Sequence, residues 1–377
     1  MAEPKKEDRN DMVDQTPVDA AQSKAALSTE ESEKRKYRKL VAKRVLFLVT
    51  CAVLLFVVAG VSLALGSASF SFFEAYAAIF ARAFPNWIQV SPLADTVVWT
   101  LRLPRILLAI LAGATLAMSG STTQAILRNP LATPYTLGVS AGAALGAAVA
   151  IILGSGLTEG PLLIITNAFL FSMIPVAVIL LLVKRRGPSP ETIILAGIAI
   201  LYIFQACTII LQYFAESNAV SATVFWTVGD LSRAAWWQLP YLLGALVICF
   251  AINMRLSWDL NLMKMGDDTA KSLGVEVNRV RRITLIAACL STATVVSFTG
   301  AIGFVGLVAP HICRAIIGGD ERFLIVSSTL FGAVLLLFAD ILARRLLAPV
   351  VLPVGAITAF LGGPLLLYLL IRRKVNH

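Results

Sequence analysis

The sequence predicts an all-α, polytopic membrane fold of about ten transmembrane helices, on three observations. Of 377 residues, 58% are hydrophobic and 14% charged, with a mean hydropathy of +0.82, which excludes a soluble globule with a polar surface. Apolar runs reach about 20 residues, the length of a bilayer span and longer than the roughly 10–14 of a buried core helix. Within one such run, Gly300-Ala-Ile-Gly-Phe-Val-Gly-Leu-Val-Ala-Pro-His311 is built from small residues and a proline. Close glycines let backbones approach, and a proline at that depth needs protein or water around it, so the segment reads as helix packed inside a bundle around a pathway.

Residues 1–44 are different material. Met1 to Ser32 is polar, mixed in sign and poor in aromatics, and the basic run Lys34-Arg-Lys-Tyr-Arg-Lys39 with Lys43 and Arg44 follows. That composition predicts a disordered cytoplasmic tail ending in a membrane-anchoring charge cluster. The rival reading is a signal peptide with Val45 to Leu65 as its apolar core and Gly66-Ser-Ala68 as its cleavage site; both the charged and the apolar regions are long for that, which favours a retained first helix.

Hydrophobicity places the spans near 45–66, 104–127, 137–155, 161–183, 191–214, 236–253, 280–299, 302–317, 323–343 and 353–371, a transmembrane domain of 45–371 with a short tail at 372–377. Ten spans put both termini on one side. Lys184-Arg-Arg186, the Arg255 to Arg282 loop and Arg372-Arg-Lys374 all fall there, which marks it as cytoplasmic.

Arg102 and Arg105, in Leu101-Arg-Leu-Pro-Arg105, and Arg344-Arg345 fall on the opposite side and run against that tendency. They are either snorkelling helix-end anchors, with Pro104 in a first helical turn, or a cationic rim for acidic groups on an extracytoplasmic partner. In the longest inner loop, Asp267, Asp268 and Thr269 suit the start of a short helix, with Ala270 and Leu273 on one side and Gly274 as its stop. So short a helix needs support: it lies on the membrane surface or fits a groove on a cytoplasmic partner.

Catalytic patterns fail on context. Gly138-Val-Ser-Ala-Gly142 has the nucleophile-elbow spacing but opens a transmembrane helix instead of a strand-turn-helix. His311 and His377 form no metal-binding spacing, and Cys51, Cys207, Cys249, Cys289 and Cys313 are scattered singly through the spans as small packing residues. With no phosphate-cradling loop, the chain is not expected to bind ATP. Proton-driven carriers place an acid near mid-membrane; here the acids lie in loops or near span ends, Asp340 being the nearest exception, so another subunit is expected to supply the energy.

In order along the chain, Leu101-Arg-Leu-Pro-Arg105, Asn129-Pro-Leu-Ala-Thr-Pro134 with Leu137-Gly-Val-Ser-Ala-Gly142, Gly266 to Gly274, Gly303 to His311, Ala339-Asp-Ile-Leu-Ala-Arg344 and Leu352-Pro-Val-Gly355 with Gly362-Gly-Pro364 carry a resemblance to the permease subunits of type II ABC importers for ferric siderophores, haem and cobalamin, the FecCD type, over about residues 45–371. The resemblance implies the type II ABC importer permease fold in the cytoplasmic membrane of a bacterium. It also implies two permease subunits, identical or paralogous, with a path along their interface, two ATP-binding subunits that use ATP and Mg, and an extracytoplasmic substrate-binding protein. Carried over by position, Arg102, Arg105 and Arg344 dock the binding protein. Gly266, Asp267, Asp268, Ala270, Leu273 and Gly274 belong to the ATPase coupling helix, and Gly303, Gly306, Pro310, Gly362 and Gly363 serve the pathway or helix packing. Gly187-Pro-Ser-Pro-Glu191 lacks the small hydroxyl residues some relatives carry before the fifth span, so no gate residue is assigned.

No cofactor, metal site or nucleic-acid partner is expected for this chain, and it is expected to be no enzyme itself. The lack of a histidine or methionine cluster along the path argues against bare metal and fits an intact chelate. A ferric siderophore is the expected substrate, with haem or cobalamin as alternatives. An ATP-independent channel or carrier, or a scaffold or sensor without transport, is the alternative from another class.

Overall fold

The computed structural model describes residues 17–65, 72–82, 84, 89–160, 162–187 and 189–373. Residues 1–16 and 374–377, the ends of the two expected tails, lie outside the described residues. The chain divides into a unit through Leu46, helical from Pro17, and a second unit from Phe47 onward. The helices are α1 (Pro17–Ala64), α2 (Phe72–Ala81), α3 (Pro92–Val97), α4 (Leu103–Leu127), α5 (Val139–Leu153), α6 (Leu162–Arg186), α7 (Pro190–Tyr213), α8 (Ser217–Thr227), α9 (Leu239–Arg255), α10 (Ser257–Met263), α11 (Asp267–Ser272), α12 (Val277–Thr299), α13 (Val305–Ile317), α14 (Glu321–Arg345) and α15 (Val354–Arg373). No strand occurs among the described residues, and a lone bridge joins Val228 to Ala301.

Each of the ten expected spans has a helix. Among the described residues, seven stretches are long and apolar enough to cross a membrane, within α1, α3–α4, α6, α7, α9, α12 and α14. The other three positions hold shorter apolar helices, α5, α13 and α15. At 1.5 Å per residue, the 13 residues of α13 span about 20 Å, less than a bilayer core of about 30 Å. The segment from Gly300 was expected to be helical by residue 302, but the helix starts only at Val305. Gly300 and Phe304 have left-handed φ values of +71° and +66°, which an α-helix cannot hold.

Two further expectations are corrected. Within the tail expected to be disordered, the described residues are helical from Pro17, in keeping with the high helix propensity of its Ala-, Glu- and Lys-rich run. The second span was expected to begin at 104, whereas a π-helical turn, Val98–Arg102, joins α3 to α4 in one helical run from Pro92 to Leu127. Arg102 is therefore well inside a helix.

α4 is the hub, packing against α9, α12, α13 and α14. Its composition allows this: Gly113 faces Gly332 of α14, and Gly120 faces the backbone of Gly306 in α13, so closely that a Cβ at either α4 position would overlap the opposing carbonyl. Close backbone approach of this kind supplies packing where lipid gives no hydrophobic drive. Gly142 and Gly146 of α5 meet the Phe171 and Asn167 carbonyls of α6 in the same way.

Candidate functional site

The break before α13 is stitched on both sides. The N–H of Gly229 donates to Ala301 O at 3.0 Å and that of Asp230 to Thr299 O at 2.9 Å, while Gly355 N–H donates to Gly229 O at 3.1 Å. Ile302 N–H donates to the Tyr135 hydroxyl at 2.9 Å. These bonds satisfy a backbone that leaves helical geometry among apolar helices, where an open amide costs several kcal/mol. Beside the break is a cavity of about 220 Å³ lined by Thr133, Tyr135, Thr292, Ile302, Gly303 and Phe304, among others. The buried Thr292 hydroxyl makes no hydrogen bond to another protein atom. The space is roomy enough for several waters to satisfy that hydroxyl.

The expected pathway glycines divide into two kinds. Gly306 and Gly362 are closed: a Cβ on Gly306 would lie 2.7 Å from Leu116 O, and one on Gly362 2.6 Å from Phe304 Cβ. Gly303 and Gly363 have nothing within 4 Å of a Cβ position. Pro310 is buried inside α13. Lacking an N–H, it leaves the Gly306 carbonyl without its helical donor at the point where α13 meets Gly120.

At one end of the bundle the arginines expected to form an exposed rim are directed inward. Arg102 is 6% exposed and donates from Nη1 to Leu63 O at 2.6 Å. Arg344 donates to Leu65 O at 2.8 Å and to the Ser62 hydroxyl at 2.6 Å. Together they cap the C-terminal carbonyls of α1, the end at which a helix dipole favours cations. Arg344 Nε also donates to Asp340 Oδ2 at 3.0 Å, and Arg105 Nε donates to Oδ1 at 2.9 Å. Asp340 is fully buried, whereas Arg105 and Arg344 keep 13% and 15% of their side chains exposed. Arg345, one residue on, is exposed. Desolvated guanidiniums need partners, and the carbonyls of α1 and Asp340 supply them, leaving only edges of Arg105 and Arg344 exposed.

The opposite end carries α10 and α11. As expected, α11 starts at Asp267 and stops at Gly274, whose φ is +89°. Ala270 and Leu273 do not share an environment, however: Ala270 is fully buried and Leu273 is 57% exposed. Asp267 also turns inward, accepting two hydrogen bonds from Arg281 Nη2 at 2.9 and 3.0 Å. Asp268, Met265 and Leu273 remain on the open face. Lys264 pairs with Glu321, which is fully buried at the start of α14. Sequence reasoning did not single out Lys264, Arg281 or Glu321. The available signal was a charged residue at the edge of an apolar run, at 281 and 321.

Among the described residues no cluster of His, Cys, Asp and Glu could hold a metal ion, and all five cysteines are free. Long apolar helices gathered round a helix broken within the bundle, with charged clusters confined to the two ends, define a multi-pass membrane permease. The chain belongs to the FecCD transport family, whose sequence profile matches residues 53–372. It is similar to a protein of Methanocaldococcus jannaschii described as an ABC transporter permease, at 50% identity over 287 residues, 74% of this chain and 82% of that one. The cobalamin import system permease BtuC of Halobacterium salinarum is 37% identical over 297 residues, covering 78% and 79%. Relatives named for Fe(3+)-citrate in Bacillus subtilis, hemin in Yersinia pestis and molybdate in Haemophilus influenzae are 38, 37 and 33% identical. Among solved structures, a metal-chelate type ABC transporter in an inward-facing conformation matches with a TM-score of 0.76 and 31% identity, over 86% of this chain and 98% of that one.

Proposed function

We propose that this chain is the permease subunit of an ATP-driven importer that moves a ferric siderophore across the cytoplasmic membrane, with both termini in the cytoplasm. The observation that carries the substrate class is the likeness to a metal-chelate type ABC transporter over 98% of that chain. Relatives named for ferric citrate and hemin support an iron chelate, and others in the family are named for cobalamin and molybdate. In this reading the path runs between this chain and a second permease subunit. That second subunit is identical or paralogous.

Two ATP-binding subunits using ATP and Mg supply the energy in this reading, and α11 is the coupling helix they contact. Its open face, with Met265, Asp268 and Leu273, is the part available to them. At the other end an extracytoplasmic binding protein docks on the exposed edges of Arg105 and Arg344 with Arg345 beside them. Arg102 serves chiefly as a cap on α1.

The test is cellular uptake of [55Fe]ferrichrome, [55Fe]ferric citrate, hemin and cyanocobalamin in a strain lacking this chain, with and without a plasmid copy. Restored ferrichrome uptake that stops when the partner ATPase is inactivated is the expected result. Restoration of cyanocobalamin or hemin alone reassigns the substrate, and uptake that survives ATPase inactivation replaces the importer with a channel or carrier.

A further inference from the structure

The α10–α11 segment is fastened to the bundle at two separate points, and both fastenings lead to one stretch of α4. At the first, Arg281 of α12, only 1% exposed, donates to both oxygens of Asp267 in α11 and from Nε to Ile126 O in the last turn of α4 at 3.2 Å. At the second, Lys264 reaches the buried Glu321 and also donates to Gly319 O at 2.5 Å. Asn261 of α10 adds a reciprocal pair, accepting from Glu321 N–H at 2.8 Å and donating to Asp320 at 2.9 Å. The far oxygen of Glu321 accepts from the Ser121 hydroxyl of α4 at 3.3 Å. Ser121 adjoins Gly120, the residue on which Gly306 of the broken helix is seated.

We infer that Arg281 and Glu321 are positioning residues that lock the α10–α11 segment to α4, α12 and α14, so that a push on its open face is delivered to the broken helix and not absorbed by a yielding loop. Desolvated, charge-assisted contacts have narrow geometry, and separating one strands a charge away from water, so the segment cannot swing alone. From Asp267 the contacts run through Arg281 to Ile126, and from Lys264 through Glu321 to Ser121. The two routes reach α4 within two turns of each other, next to the glycine contact that carries α13. The inference rests on the reading of α11 as the ATPase contact. Arg281 and Glu321 are too buried to touch an ATPase themselves, which separates transmission from docking.

The experiment uses the full permease co-expressed with its ATPase subunit and held in nanodiscs. Gly363→Cys is the reporter, since a side chain there meets nothing within 4 Å. Cys207→Ala removes the one native cysteine that is not buried. The readout is the ratio of fluorescein-maleimide labelling rates without nucleotide and with ADP–vanadate. Arg281→Met and Glu321→Gln are each expected to bring that ratio toward one by about fivefold while the ATPase still co-purifies and hydrolyses ATP, with Arg281→Lys recovering part of it. Variants that keep the parent ratio, or that lose the ATPase from the complex, overturn the inference. A parent whose ratio does not respond to ADP–vanadate with ATPase bound overturns the ATP-driven reading, and this inference with it.

Discussion

Arg105 and Asp340 stand 235 positions apart in sequence and meet in the bundle, with both Nε and Nη2 of the guanidinium 2.9 Å from one carboxylate oxygen. The other oxygen is taken by Arg344. One buried negative charge thus holds two arginines from α4 and α14, and through Arg344 the end of α1. Asp340→Ala leaves both guanidiniums largely desolvated without their counter-ion, and the expected loss is about 3–5 kcal/mol. Denaturant unfolding in detergent measures it; a loss under about 1 kcal/mol would show that water or other groups replace the carboxylate.

The same geometry separates stability from docking. Arg102→Glu places a carboxylate against the C-terminal carbonyls of α1, so it is expected to destabilise the protein whether or not a binding protein is present. Arg345→Glu changes only an exposed side chain: melting should hold steady while association with the binding protein slows and loses part of its salt dependence. Surface plasmon resonance at two salt concentrations, with thermal melts of both variants, tests the pair.

Two glycine substitutions should behave oppositely. Gly120→Ala drives a methyl group into the Gly306 backbone, which cannot yield as a side-chain tip would, and overpacking should cost about 1–3 kcal/mol or more. Gly244→Ala meets open space inside α9 and should be neutral or stabilising by up to about 1 kcal/mol. Equal melting temperatures for the two would contradict the close approach of α4 and α13.

Tyr135→Phe removes the oxygen that accepts from Ile302 N–H and leaves that amide unpaired in a buried site. The expected cost is about 1–3 kcal/mol, with faster exchange of the Ile302 amide read by hydrogen–deuterium exchange mass spectrometry. Unchanged exchange at the break would mean that the phenol is not needed to hold it.

Acid stability should carry a mark of Asp320. Burial alone would raise its pKa, but hydrogen bonds from Arg322 and Asn261 and the Arg322 charge outweigh that and lower it from 3.8 to about 2. A depressed carboxylate pKa stabilises the fold above its unfolded value and loses that contribution as pH falls through the folded one. The difference in melting temperature between the parent and Asp320→Asn should therefore be full above pH 3.8 and close toward pH 2. A difference that does not vary over this window would remove the ionised carboxylate from the account.

Much of the fold was legible because a bilayer imposes a simple rule on a sequence: spanning segments must be long, apolar and internally hydrogen-bonded. The ten span positions follow from it, whereas α11 was legible from local signals, the acidic residues of its first turn and the stop at Gly274. Phe304 shows where local reading ends. Nothing in its neighbours announces a left-handed aromatic residue, and the conformation persists because Tyr135, Gly229 and Gly362, all distant in sequence, hold the break around it.

The sequence by itself determined that this protein spans a membrane with about ten helices, which residues are small enough for close packing, and the family to which it belongs. Only the tertiary structure decided what the charges do. Arg102, Arg105 and Arg344 look like a rim when their helix is expected to start at 104, but become internal clamps once the helical run begins at Pro92 and the end of α1 meets them. Arg281 and Glu321 look like ordinary helix-end charges until the fold brings Asp267 and Lys264 to them. Apolar pattern is a local property, read one residue at a time, whereas the role of a buried charge depends on its partner, and here those partners are set by chain topology.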